Sequence, residues 1–225
     1  MIAPLRSLLL ANGRRLGADT SGVALLEFAL TLPVLLLMCL TGAELTNYIT
    51  TKMRISQIAL HLADNAARIG SGTQLQSKQI TEADINDLLI GANLQSGELS
   101  LNTYGRVIVS SIEPSTVNTS NSRIRWQRCA GAKTGHASTY GTVANSTNVT
   151  GIGPAGRQVT APPNGVTMFV EVYYEYQPLV KTSLAPSSNM TEIASMMVRD
   201  RRDTSSGTGH TDGVYAVTGV TASGC

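Results

Sequence analysis

The stretch Gly22–Ala43, read as GVALLEFALTLPVLLLMCLTGA, constrains the chain more than any other. After Gly22 come 21 residues, Val23 to Ala43, in which Glu27 is the only ionisable side chain besides the Cys39 thiol. As a helix they extend about 31 Å at roughly 1.5 Å per residue, enough to cross the hydrocarbon core of a bilayer. A carboxylate inside such a run costs roughly 2.5–3.5 kcal/mol at mid-helix on insertion scales, so Glu27 calls for a reason. Two readings stand. In one, Glu27 lies near enough to an interface to snorkel to water. In the other, the chain is cut after Gly22, and the new ammonium of Val23 lies four residues, about 6 Å along the helix, before the carboxylate. Opposite charges held in an apolar layer then pair, within a subunit or between staggered neighbours, which gives Glu27 a part in assembly.

The order Gly22, Val23, Ala24, Leu25, Leu26, Glu27, Phe28 places a glycine, four residues and then Glu-Phe at the opening of an apolar helix. It resembles a prepilin peptidase site. The fuller string EFALTLPVLLL, followed by a polar-faced helix, resembles the TadE/TadG-like minor pilins of the bacterial tight-adherence (Flp, type IVb) pilus system. The likeness covers Gly22 to about Ile69 and is specific in Gly22, Glu27, Phe28, Ala29, Leu30 and Pro33. It implies a pseudopilin without catalytic residues: a prepilin peptidase substrate cut between Gly22 and Val23, held in the inner membrane before assembly. Its C-terminal domain would be periplasmic, and its partners the other major and minor pilins. Pro33, part of the family's motif, removes a backbone donor and is expected to kink the helix; membrane helices tolerate this where neighbours satisfy the freed carbonyl.

Residues 1–22 carry Arg6, Arg14, Arg15 and Asp19 ahead of the span, and their apolar patch Leu8–Leu10 is too brief to cross a membrane. Excess arginine on that side predicts a cytoplasmic N-terminus and an external C-terminus, a bias that Lys52 and Arg54 beyond the span weaken slightly. Another cut is open: Thr41-Gly42-Ala43 before Glu44 suits ordinary signal peptidase, which would release a soluble protein. A lipoprotein site at Cys39 is set aside, because Met38 stands where a small residue is expected.

The whole chain has net charge +2, and residues 1–22 account for it, leaving the remainder formally neutral. That removes the electrostatic case for nucleic-acid binding. The 225 residues provide for one anchor and one domain of ordinary size. Few aromatics and 21 glycines suit an extracytoplasmic, β-rich domain with long loops.

From Glu44 to Ile69 there is no Gly or Pro, and Tyr48, Ile55, Ile58, Ala59, Leu62, Ala66 and Ile69 recur at three and four. A single helix is expected over Val23–Ile69, its span at 23–43 and its periplasmic continuation at 44–70, stopped at Gly70-Ser71-Gly72. His61, on the polar face, is expected to be solvated. Thr81, with Asp84 three residues on, is expected to cap a second helix that stops at Gly91. Strands are expected at Arg106–Ile112, Arg123–Gln127, Val166–Tyr176 and Met190–Arg201, with Tyr215–Val220 as a short closing edge. In the third, Val170, Val172, Tyr174 and Tyr176 face one way while Phe169, Glu171, Tyr173 and Glu175 face the other. The fold expected is α+β: a long N-terminal helix packed on a small antiparallel sheet, pilin-like, in a domain spanning 71–225. Its Gly/Thr/Asn-rich segment 129–165 holds few large apolar residues and is expected to add little core, leaving a partner-contact surface or disorder as the alternatives.

Cys129 and Cys225 are the only cysteines of the outer domain, and in an oxidising periplasm two such thiols pair; a free Cys225 is the alternative. Cys129 and His136 lack a second ligand pair for zinc, and no metal or cofactor is expected. Gly151–Gly156 spells GxGxxG without a strand before it or a helix start after it, so it is no nucleotide site. Asp203–Gly207 resembles the start of a metal-dependent adhesion site, but its second serine is replaced by glycine and no apolar strand leads in. His61, His136 and His210 have no nucleophile elbow near them. The sequons at Asn118, Asn145, Asn148 and Asn189 matter only in a eukaryotic secretory pathway. The alternatives to a pilin-like subunit are a signal-anchored or secreted binding module and, last, a periplasmic enzyme.

Overall fold

The computed structural model describes residues 22–73, 76–180, 189–210 and 212–225. Residues 1–21, most of the expected leader, lie outside them. Helix α1 runs unbroken from Val23 to Arg68, 46 residues, one short of the span expected. The chain divides into two compact units, the first holding residues 22–46 with 179–180 and the second residues 47–178 with those after 188.

In the first unit the run Val23–Ala43 of α1 carries one charged side chain, Glu27, and every residue of it but the half-buried Leu32 is exposed. Leu25 is 75% exposed, Phe28 60% and Met38 71%. The Glu44 carboxylate accepts a hydrogen bond from Val180 N at 3.0 Å.

In the second unit the same helix turns amphipathic. Thr51, Ile55, Ile58, Ala59, Leu62, Ala63, Ala66 and Ala67 are buried at spacings of three and four, and four alanines on that stripe keep it narrow enough to lie close on its neighbours. His61 is exposed. Beyond Gly70, strand β1 (Ile80–Thr81) leads into helix α2 (Glu82–Ser96). Thr81 is its N-cap: Asp84 N donates to Thr81 Oγ1 at 3.1 Å and Thr81 N donates to Asp84 Oδ2 at 2.9 Å, a complete capping box. The expected stop at Gly91 does not occur. Ala92 and Ser96 extend the stripe of Ile85, Leu88 and Leu89 into the core, and that packing outweighs the roughly 1 kcal/mol a mid-helix glycine costs. The helix ends at Gly97, whose φ of 52° suits glycine.

A short helix α3 (Leu101–Tyr104) precedes strands β2 (Gly105–Pro114), β3 (Ser122–Ala130), β4 (Thr167–Glu175) and β5 (Asn189–Met197). They form one antiparallel sheet in the order β3-β2-β4-β5. Between β2 and β3 the register jumps from Ser111↔Trp126 to Ile112↔Ile124, which leaves Arg125 as an inserted residue. The bulge reverses the alternation, so Trp126 joins the core under α1 and α2 while Ile124 faces the other side. That core takes Val107, Val109, Met168, Val170, Val172 and Tyr174 from the inner face of the sheet. The closing edge expected at Tyr215–Val220 is instead β6 (Val214–Tyr215), which pairs in parallel with β1 in a separate two-stranded ladder. Asp203, whose main-chain N donates to Lys78 O at 2.8 Å, helps bring these segments together.

The segment after β3 corrects the expectation that it would add little core. It crosses the outer face of the sheet, where Tyr140, Val149, Ile152, Val159 and Ala161 cover Ile112, Ile124 and Phe169. Tyr140 meets Phe169 edge-on, ring centroids 5.7 Å apart. Scattered single apolar residues suffice because the sheet supplies the other half of the cluster. Gly131 admits the chain to this path: its φ is 108°, and a Cβ there would lie 2.3 Å from Gly105 O.

Candidate functional site

The residues singled out at the head of the chain occupy the first three turns of α1. Gly22 O accepts from Leu26 N at 3.1 Å, so the helix begins at the bond where the chain would be cut. Val23, Glu27 and Phe28 are all exposed. The Glu27 carboxylate meets no partner among the described residues, while its main-chain oxygen accepts from Thr31 Oγ1 at 2.8 Å. Pro33 lies within the helix without ending it. Polar side chains along this run satisfy themselves locally: Thr41 Oγ1 donates to Leu37 O at 2.7 Å and Thr46 Oγ1 to Gly42 O at 2.8 Å. Hydroxyls bonded back to carbonyls four residues earlier present no unmet donor to an apolar surround. α1 is long and apolar enough to cross a membrane, and none of the described residues buries its apolar window.

Cys129 and Cys225 form a disulfide, with 96 residues of sequence separation. Cys39 is a free, exposed thiol. The bridge fastens the segment after β6, where Cys129 N donates to Ser223 O at 2.8 Å and Asn86 Nδ2 donates to Thr221 O at 2.9 Å. The GxGxxG run is a turn closed by Ile152 N to Val159 O at 2.9 Å, with no helix after it. Asp203 accepts from Tyr215 Oη at 2.6 Å and Ser205 N at 3.0 Å, and these bonds draw its carboxyl down to about 2. Its hydrogen bonds stay within the fold, and no cluster of metal-ligating side chains exists among the described residues.

Three charged groupings were not legible as such in the sequence. On the inner side, Arg128 of β3 donates through Nε to Glu82 Oε2 at 3.0 Å and through Nη2 to Glu82 Oε1 and to Asp212 Oδ2, the last at 2.9 Å. Burial opposes its charge, yet the two carboxylates outweigh burial and push its pKa up. Nearby, burial raises the Glu113 carboxyl against the pull of Arg125 and Arg123, and burial brings Arg202 down to about 10. Arg202 Nη2 donates to Ala66 O at 3.1 Å and Ile69 O at 3.2 Å, closing the carbonyl end of α1. On the outer face, Glu171 is fully buried and accepts from Ser138 Oγ at 2.9 Å and Thr139 N at 3.2 Å, with His136 Nε2 3.3 Å away. His136 also stacks on Tyr173, centroids 3.9 Å apart. The signal for Glu171 was its place in the middle of the apolar run Val166–Tyr176; its partners, over 30 residues earlier, left no local trace.

A long helix whose second half packs on a four-stranded antiparallel sheet, with an uncovered apolar first half, is a pilin-like α+β arrangement. Residues 22–71 match the model of the family described as TadE-like protein, so over that segment the chain is similar to that family. No curated protein and no solved structure matches the chain.

Proposed function

We propose that the chain is a minor pilin or pseudopilin of a tight-adherence pilus, a structural rather than catalytic subunit. It is cut by prepilin peptidase between Gly22 and Val23, held by residues 23–43 in the inner membrane with its N-terminus cytoplasmic, and presents its C-terminal domain to the periplasm. Assembly draws its apolar helix in among those of other pilin subunits, with the Val23 ammonium neutralising Glu27. The observation that carries this reading is the uncovered apolar surface of α1 in the segment that matches the TadE-like family, since such a surface demands lipid or other helices. Pro33 frees a carbonyl in that same segment for a neighbouring group.

The N-terminal residue of the protein recovered from its native membrane tests the cut. Intact mass or N-terminal sequencing should give Val23, and inactivating the peptidase should abolish that start. A start upstream of Gly22 would remove the peptidase from the argument. A start at Glu44 would favour a secreted binding module.

Glu27→Gln keeps size and polarity but removes the charge. It should leave membrane insertion intact and sharply reduce recovery of pilus filaments and of partner pilins crosslinked to this subunit. Filaments formed at wild-type level by Glu27→Gln would overturn the charge-pairing role.

A further inference from the structure

The four-stranded sheet treats its two edges differently. Along β3 the chain covers its own edge: Ser122 N donates to Val149 O at 2.7 Å, Ile124 N to Ser146 O at 2.8 Å and Cys129 N to Ser223 O at 2.8 Å. β5 is the opposite edge. It matches β4 without a register shift from Glu175↔Asn189 to Thr167↔Met197, and Val198 N, donating to Val166 O at 2.9 Å in the same register, fixes which pairs exchange bonds. The even-numbered residues of β5 bond to β4, so the N–H and C=O groups of Thr191, Ile193, Ser195 and Met197 point away from the sheet. These groups meet no partner among the described residues. Open edges are ordinarily blunted by proline, lysine or a bulge. β5, nine residues long, has none of these. Its one charged residue, Glu192, is engaged by Lys52 of α1 at 3.7 Å.

We propose that β5 takes an extended segment of another protein chain as a fifth, antiparallel strand, with an acidic side chain of that segment seated at Arg199. The added strand continues the sheet's own pattern and satisfies the outward donors and acceptors, while a pocket beside the edge selects among strands. Such a pocket lies at the end of β5, a cavity of about 240 Å³ lined by Ala67, Arg68, Met196, Met197, Arg199 and Asp200. Arg68 pairs with Asp64, and Asp200 with Lys78. Arg199 is exposed and has no partner among the described residues. The surplus is one positive charge, which favours a carboxylate. In an antiparallel partner that carboxylate belongs near the N-terminal end. Ile193 packs on the outer face and Met197 is 52% exposed, so β-branched apolar residues suit the positions opposite them. A second copy of this chain fits less well. α1 runs alongside β5 in the same direction, with Lys52 at Glu192 and Ala67 sharing the cavity with Met196, so two antiparallel β5 strands would point their helices opposite ways. That step alone rests on the reading of α1 as a membrane anchor.

The test adds the peptide Glu-Val-Thr-Val-Thr-Val-Thr, acetylated and carrying a fluorophore at its C-terminal end, to the full chain in detergent micelles and follows anisotropy. In the expected register its valine N–H groups meet β5 and its threonine N–H groups face away. Methylating the valine amides should weaken binding at least about tenfold, the worth of one or more ladder hydrogen bonds, whereas methylating the threonine amides should leave it nearly unchanged. Hydrogen exchange at Thr191, Ile193, Ser195 and Met197 should slow when the peptide binds. Ser195→Pro removes an outward N–H that bonds nothing in the fold, a place where a strand tolerates proline, and should weaken binding at least about tenfold. The methylated peptides carry the test if that variant fails to fold. Arg199→Gln should bind the peptide and its Gln-for-Glu counterpart equally. No binding of any peptide, equal binding after valine methylation, undiminished binding by folded Ser195→Pro, or unchanged exchange along β5 would each overturn the proposal. So would a mass of two chains that Ser195→Pro returns to one, which would seat a second copy on this edge.

Discussion

Replacing Cys129 and Cys225 together by serine is expected to destabilise the second unit by about 4–5 kcal/mol. The bridge spans 96 residues of sequence, and the chain-entropy account assigns a closed loop near that length roughly 4.7 kcal/mol through the freedom it takes from the unfolded chain. For a unit of this size that lowers the thermal midpoint by roughly 9–19 °C. The native side of the balance shifts as well. Residues 216–225 form no strand, and besides the bridge they are anchored by hydrogen bonds such as Ser223 Oγ to Asn86 Oδ1 at 2.7 Å and Cys129 N to Ser223 O at 2.8 Å. Each is worth about 1 kcal/mol net, against roughly 1–2 kcal/mol per residue for keeping that segment ordered. Without the bridge the segment should detach before the sheet unfolds, so hydrogen exchange at the main-chain N–H of position 129 should accelerate well below the global midpoint. Thermal denaturation of oxidised wild type against the double serine variant makes the comparison. A loss under about 1 kcal/mol would show that the cross-link constrains the unfolded chain far less than its length suggests.

The sequence was most readable where a single period or a single cap governs. The spacing of Ile55, Ile58, Ala59, Leu62 and Ala66 announces α1, Thr81 with Asp84 announces the start of α2, and the alternation from Phe169 to Tyr176 announces β4 with both faces rightly assigned. It was least readable where the outcome depends on distant partners. The stop at Gly91 failed because Ala92 had a core to join. Tyr215 closed on Thr81 rather than on the sheet, since a two-residue strand carries no mark of its partner. The Gly/Thr/Asn-rich segment was read by its composition, yet its few apolar residues, Ile152 above all, fall where the bulged sheet exposes Ile112, Ile124 and Phe169. At the functional end the glycine, the carboxylate and the apolar run were plain, because a polar group in an apolar stretch is itself an anomaly.

Arg128→Met is expected to cost the second unit about 3–5 kcal/mol, the usual penalty for removing one partner of a buried charge network. Arg128 ties three segments that are far apart in sequence: β3, the first turn of α2 through Glu82, and the approach to β6 through Asp212. Its Nη1 also donates to Gln127 O at 3.1 Å, and its guanidinium lies 5.8 Å from the centroid of Trp126, so methionine keeps much of the packing while deleting the charge. Left behind is Glu82, 7% exposed, with its carboxylate stripped of the guanidinium that held both oxygens. The loss therefore measures an abandoned anion rather than the worth of the bridge. A second substitution separates the two. Arg128→Met combined with Glu82→Met removes both charges and fills the space with apolar atoms, and it should regain most of the stability, leaving Asp212, which is partly exposed, to water. Denaturant unfolding of wild type, the two single variants and the double variant completes the cycle. A double variant as unstable as Arg128→Met would show that the network holds α2 and β6 to the sheet by its specific geometry, and that burial of an unpaired carboxylate is the smaller effect.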